Sequence, residues 1–200
     1  MAQVKLKGNP VQTSGNLPVV GSAAPDFKLT GTDMRDVSLE KFKGKKVVLN
    51  IFMSLDTSTC AASVRRFNSE VADHDDTAVL CISRDLPFAH ARFCEAEGIE
   101  GVVSLSDMRD RSFGRDYGIE LKDGPVAGLL ARSVIVLNRE GQVAYTQQVD
   151  ELSQEPDYEK ALAALAAIDQ EPLDVCTTSF SAEDSRGEGP DEPCDDGRAG

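Results

Sequence analysis

Two hundred residues at 40% hydrophobic content suit one ordinary domain with a real core and some chain to spare. A formal net charge of −13 argues against nucleic acid as a partner, because phosphate binding needs a basic face. No apolar run approaches the roughly 18 residues of a transmembrane helix, so no membrane contact is expected. The opening MAQVKLKGNP has no apolar h-region, so the expected location is the cytoplasm.

In chain order, VKLKGNPVQTSGN predicts a small N-terminal β-hairpin turned at Gly8-Asn9-Pro10. VVLNIF at 47–52 is a short apolar run typical of a strand buried on both faces. Cys60, Val64, Phe67 and Val71 then step by four, three and four, which is one helical face. AVLCIS at 78–83 is a second buried strand. A second helix begins at Pro87, a good first-turn residue, and stops at Gly98, a good helix-ending one. VVSL at 102–105 is a weaker strand. Residues 133–138 and 142–149 are β-rich and flank Asn138-Arg139-Glu140-Gly141, which predicts a hairpin. A last helix spans Pro156 to Ile168, with Tyr158, Leu162 and Leu165 on one side. This order resembles a thioredoxin-like α/β fold with additions, helices covering a mixed sheet.

Composition changes at Asp169. The stretch to Gly200 holds ten acids and two arginines, with many Gly, Pro and Ser and few large apolar groups. Such a segment buries too little to offset chain entropy, so 1–168 is expected to be the folded domain and 169–200 a disordered acidic tail. The five cysteines, Cys60, Cys81, Cys94, Cys176 and Cys194, are odd in number and widely spaced. That is no disulfide framework. With two histidines and no C-x-x-C pair, a zinc site is not expected either.

The segment FMSLDTSTCAASVRRFN, 52–68, carries the chemistry. A buried strand ends, a polar loop follows, and a helix begins with Cys60 in its first turn. Asp56, Thr57 and Ser58 are candidate N-caps. Free backbone N–H groups and the positive end of the helix dipole favour thiolate over thiol there, and the thiolate is the nucleophile. Cys81, centred in AVLCIS, reads instead as an inert core thiol. His90, among alanines in its helix, reads as a partly exposed filler, and Arg65-Arg66 as a solvated helix face. Thioredoxins place C-x-x-C at such a strand-to-helix junction. Here Thr57-Ser58-Thr59-Cys60 has threonine for the first cysteine, which points to peroxide chemistry rather than dithiol exchange within the motif.

SLDTSTCAASVRRFN resembles the active-site segment of the bacterial thiol peroxidases, the atypical two-cysteine branch of the peroxiredoxins. The resemblance continues in LPFAHARFCEAEGIEGV (86–102), DGPVAGLLARSVIVL (123–137) and VDELSQEPDYEKALAAL (149–165), and covers roughly residues 3–168. It implies a peroxiredoxin-type thioredoxin fold. It also implies that Cys60 is the peroxidatic cysteine, that Thr57 bonds the thiolate and the peroxide, that Arg132 is the active-site arginine, and that Cys94 is the resolving cysteine. Hydrogen peroxide or an organic hydroperoxide would be the substrate, an intramolecular Cys60–Cys94 disulfide the product of resolution, thioredoxin the reductant and a homodimer the assembly. No cofactor or metal is implied. Met53 departs from the family, which has proline at that position. Two other readings remain beside it: a thioredoxin-like thiol-disulfide oxidoreductase using Cys60 and Cys94, and a non-catalytic redox sensor.

Overall fold

The computed structural model describes residues 2–71 and 75–170. Its sheet forms where the sequence is apolar without alternation. Strands β5 (Lys46–Ile51) and β6 (Thr77–Ser83) are buried almost throughout, as strands covered on both faces must be. They pair in parallel, and β6 pairs in parallel with β7 (Val102–Ser106). Parallel neighbours need crossovers, and helices α1 (Ser58–Val71) and α2 (Pro87–Glu97) supply them. On the other side β8 (Ser133–Leu137) runs antiparallel to β5 and forms a hairpin with β9 (Val143–Gln148). Strands β3 (Lys28–Gly31) and β4 (Asp36–Ser38) complete the seven-stranded order β4-β3-β7-β6-β5-β8-β9. A separate pair, β1 (Gln3–Leu6) and β2 (Asn9–Gln12), makes the N-terminal hairpin. Short α3 (Ser112–Asp116) sets Phe113 edge-on to Phe27, and α4 (Tyr158–Ala167) lays Tyr158 edge-on to Phe67 of α1.

The α/β fold and its N-terminal hairpin are those expected from the sequence. The hairpin turns one residue earlier than expected, at Lys7-Gly8. Both residues have positive φ (52° and 82°), the backbone of a two-residue turn that matches strand twist. Helix α2 starts at Pro87 and ends on Gly98 in the left-handed conformation (φ 64°), where a side chain would be strained. Helix α4 starts two residues later than expected, at Tyr158, because the Asp157 side chain caps it by accepting from Lys160 N–H at 3.1 Å.

One row of the sheet is polar. Asn50, Cys81 and Ser104 are register partners on neighbouring strands and so face the same side. Above them, Asn50 Nδ2 donates to Ser63 Oγ of α1 (3.3 Å), and Ser104 Oγ lies 3.4 Å from Cys94 Sγ of α2. Helices α1 and α2 therefore cover the same face, as two right-handed crossovers in one direction require. They are also linked at their surfaces by Arg65, which grips Glu97 with Nε and Nη2 (2.7 and 2.9 Å).

At the far end, Asp169 is still held by the domain, pairing with Lys46 (2.6 Å) and Arg139 (2.8 Å). The rest of the acidic stretch from Glu171, with Cys176 and Cys194, lies outside the described residues. Among the described residues no helix is long and apolar enough to cross a membrane, and no group of His, Cys, Asp or Glu could hold a metal ion.

Candidate active site

Strand β5 ends at Ile51, and the chain turns through Met53–Thr57 into α1. Thr57 takes the N-cap place through its backbone, its carbonyl accepting from Ala61 N–H at 3.0 Å. Cys60 sits in the first helical turn and is fully buried. Met53, where the family has proline, is buried at the start of this loop. The Thr57 hydroxyl donates to Ser54 C=O (3.1 Å), which leaves its lone pairs free to accept.

Arg132 reaches the same place from across the sheet. It immediately precedes Ser133, the register partner of Ile51, so the ends of β8 and β5 bring it to the Cys60 helix. Its side chain is only 1% exposed, and Nη2 donates to Cys60 Sγ at 3.4 Å. Nε and Nη2 also donate to Leu152 C=O (3.2 and 3.1 Å). Nη1 is buried without a partner. Buried donors are nearly always satisfied, so an orphan beside a sulfur marks a place for an incoming acceptor.

Leu152 is itself held by the N-terminal hairpin. Its N–H donates to Lys5 C=O (2.8 Å), and Lys5 N–H donates to Asp150 C=O (2.6 Å). Between them Glu151 accepts from Lys7 N–H and Gly8 N–H, both at 2.9 Å. Those amides, with Ser153, pull the Glu151 carboxyl down to about 2. The hairpin thus fixes the carbonyl that aims the arginine. Sequence reasoning found the hairpin and missed this use of it, because a backbone acceptor leaves no residue signal.

The structure brings Cys60 and Arg132 together and places Thr57 one turn before the cysteine, its hydroxyl turned to Ser54. Cys94 stands apart: it is half-buried in α2 with its sulfur toward Ser104, and Cys60, Cys81 and Cys94 are all free thiols. Cys81 is the core thiol expected. Burial pushes it up to about 12, with Asn50 Nδ2 as a weak donor at 3.7 Å. Arg65 and Arg66 are exposed, though each pairs with a glutamate, Glu97 and Glu70.

His90 corrects the sequence reading. It is fully buried, not partly exposed, and its Nε2 lies 2.9 Å from Ser83 Oγ. Burial drives it down to about 4, so the ring is neutral at pH 7. The helix sequence could not show this, since the partners sit at the end of β6.

A family model described as Redoxin matches residues 19–162. The thiol peroxidase of Mycobacterium tuberculosis is 56% identical over 167 residues, 84% of this chain and all of that protein. The thiol peroxidase of Corynebacterium glutamicum is also 56% identical, over 82% of this chain and 99% of its own. The chain belongs to the redoxin family, among its thiol peroxidases. Among solved structures, a peroxiredoxin-like protein from Aquifex aeolicus superposes with a TM-score of 0.80 at 35% identity, covering 84% of this chain and 98% of that one. The enzyme is thus a peroxidase on a peroxiredoxin-type thioredoxin fold, as the Thr57-x-x-Cys60 segment implied.

Proposed function

We propose that this thiol peroxidase reduces hydrogen peroxide and organic hydroperoxides at Cys60, is resolved by Cys94, and is recycled by thioredoxin. The observation that carries the reading is the buried Arg132. Its Nη2 contacts the Cys60 sulfur while Nη1 has no partner. A buried guanidinium with no carboxylate among its hydrogen-bond partners is best completed by a thiolate and by an acceptor that arrives with the substrate.

Atoms and electrons balance at each step. The Cys60 thiolate attacks one peroxide oxygen, the S–O bond forms and the O–O bond breaks. The other oxygen leaves as an alkoxide or hydroxide and takes up a proton, giving an alcohol or water and a Cys60 sulfenic acid. Arg132 Nη1 and the Thr57 hydroxyl hold the peroxide in line and stabilise charge on its oxygens. The Cys94 thiolate then attacks the sulfenic sulfur, the S–S bond forms, the S–O bond breaks, and the oxygen departs as water. A thioredoxin dithiol reduces the disulfide by exchange.

Disulfide formation needs Cα atoms within about 7 Å and sulfurs turned toward each other. Here Cys60 Sγ faces Arg132 and Cys94 Sγ faces Ser104, so both must let go first. The start of α1 and the Cys94 segment therefore unwind locally during the cycle. The family resemblance supports a cytoplasmic homodimer, and composition supports a folded domain over residues 1–168 with a dispensable acidic tail over 169–200. Thioredoxin-coupled peroxide turnover tests the core of this reading. Cys60→Ser should abolish it. Cys94→Ser should permit one round of peroxide reduction and no turnover. Normal steady-state turnover in either variant would sink the assignment.

A further inference from the structure

The loop before Cys60 hangs on one carboxylate. Ser54 Oγ donates to Asp85 Oδ1, and Leu55 N–H donates to Asp85 Oδ2, both at 2.8 Å. Ser54 in turn organises the next three residues. Its Oγ accepts from Asp56 N–H (3.2 Å), and its carbonyl accepts from Thr57 N–H and Thr57 Oγ1. Asp85 thus fixes Ser54, Ser54 fixes Thr57, and Thr57 carries the first hydrogen bond of the Cys60 helix.

Asp85 belongs to the other half of the cycle as well. It lies just past β6 and two residues before Pro87, where α2 begins, and Cys94 lies two turns along that helix. Its position is pinned from behind. Ser83 Oγ donates to Asp85 Oδ2 (2.8 Å) and accepts from Asp85 N–H (3.1 Å), while Ser106 Oγ donates to the Asp85 carbonyl. Since the single Ser83 proton goes to the carboxylate, His90 Nε2 must be the donor in its 2.9 Å contact with Ser83. His90 is on the first turn of α2, so the same network ties the Cys60 loop to the Cys94 helix.

We propose that Asp85 is a positioning residue that couples these two segments: its carboxylate holds the loop before Cys60 in its peroxide-reactive form, and releasing that carboxylate frees the loop and the start of α2 together. The proposal rests on the assignment of Cys60 and Cys94 above. It gives the enzyme one latch for two requirements that conflict, an ordered pocket for attack and an opened one for resolution.

The test separates the two chemical steps. Reduced enzyme is mixed with one equivalent of hydrogen peroxide and quenched over time, and Cys60 sulfenic acid and the Cys60–Cys94 disulfide are counted by mass. In Asp85→Ala the peroxide step should slow by about tenfold or more, the scale of a misplaced reacting group, while the disulfide step does not slow. Asp85→Asn, which keeps an acceptor oxygen, should fall between Asp85→Ala and the wild type. Ser54→Ala, a milder change that keeps the test alive if Asp85→Ala misfolds, should show the same split at smaller size. Hydrogen exchange at the amides of 55–57 and of 88–94 should quicken together in each variant. An unchanged peroxide step, an equal loss in both steps, or faster exchange confined to 55–57 would overturn the latch. A wild type that forms no Cys60 sulfenic acid, or no disulfide to Cys94, would instead remove the assignment beneath it.

Discussion

Among the described residues two arginines bury their side chains, and they do so differently. Arg84 has a side chain 5% exposed and pairs with Asp107 (3.1 Å) and Glu120 (3.0 Å), with Gly128 C=O as a further acceptor. Arg132 is 1% exposed and bonds only a carbonyl and a sulfur, with Nη1 unpartnered. A buried cation surrounded by carboxylates has its charge fully answered and acts as scaffold. One left partly unanswered keeps its field for whatever enters. Burial alone therefore does not separate structural from functional charge; the partners do.

The sharpest way to break this comparison is to replace both arginines with the similarly sized, uncharged methionine. Arg132→Met should lower the second-order rate with peroxide by about 100- to 1000-fold, the usual cost of one transition-state donor. Its thermal stability should fall less than that of Arg84→Met, because the group left without donors is the Leu152 carbonyl and not a carboxylate. Stopped-flow oxidation and thermal melting read the two quantities. Arg84→Met should do the reverse. It leaves Asp107 buried with only Gly114 N–H at 3.3 Å, so it should cost about 3–5 kcal/mol of stability. Its peroxide rate per folded molecule should stay within a few-fold of the wild type. Parallel losses in both variants would remove the distinction.

A buried group that is kept neutral offers a third case. His90 falls to about 4 in the fold, against an ordinary value near 6.5. Between those values the unfolded chain binds a proton that the native state refuses. Stability therefore should be full above pH 6.5 and fall as pH drops toward 4, by about 3 kcal/mol at most. His90→Gln, which keeps a donor for Ser83, should flatten that part of a denaturation-versus-pH series. An equally steep profile in the variant would assign the slope to other groups.

The smallest effect is expected at Glu151, which is half-buried and acts on Arg132 only through its neighbour Leu152. Glu151→Gln keeps one acceptor oxygen and should slow peroxide reduction a few-fold, with the thiol step alone affected. Because the native carboxyl is lowered to about 2 and stays ionised above that, the loss should be the same across the working pH range. Equal peroxide rates in Glu151→Gln and the wild type would show that the hairpin needs no carboxylate to hold Leu152.

The sequence was most legible where one residue decides one thing. Pro87 and Gly98 bracketed α2, the 60/64/67/71 spacing identified the core face of α1, and the runs at 47–52 and 78–83 marked the central strands. Strands β3 and β4 were not foreseen, since four and three residues hold too little pattern to register. At the site, Cys60 could be argued from its helix position alone. Arg132 could not, because its meaning depends on strand ends meeting 72 residues away. His90 was misread for the same reason: its environment is made by Ser83, on another element. Asp85 carried no motif at all and is defined only by what points at it.

The order in which this site is assembled has a consequence during synthesis. Cys60 leaves the ribosome 72 residues before Arg132, and Leu152 emerges 20 residues later still. At about 5–20 residues per second, the thiol waits roughly 5–20 s before its cation can be both present and aimed. The carbonyl that aims it also needs the first strand of the chain to return and dock beside residue 150. On the proposed roles of Cys60 and Arg132, the nascent enzyme should be a bystander to peroxide until the N-terminal hairpin has docked beside residue 150, and a fusion or truncation that disturbs residues 3–8 should act on that centre without touching it.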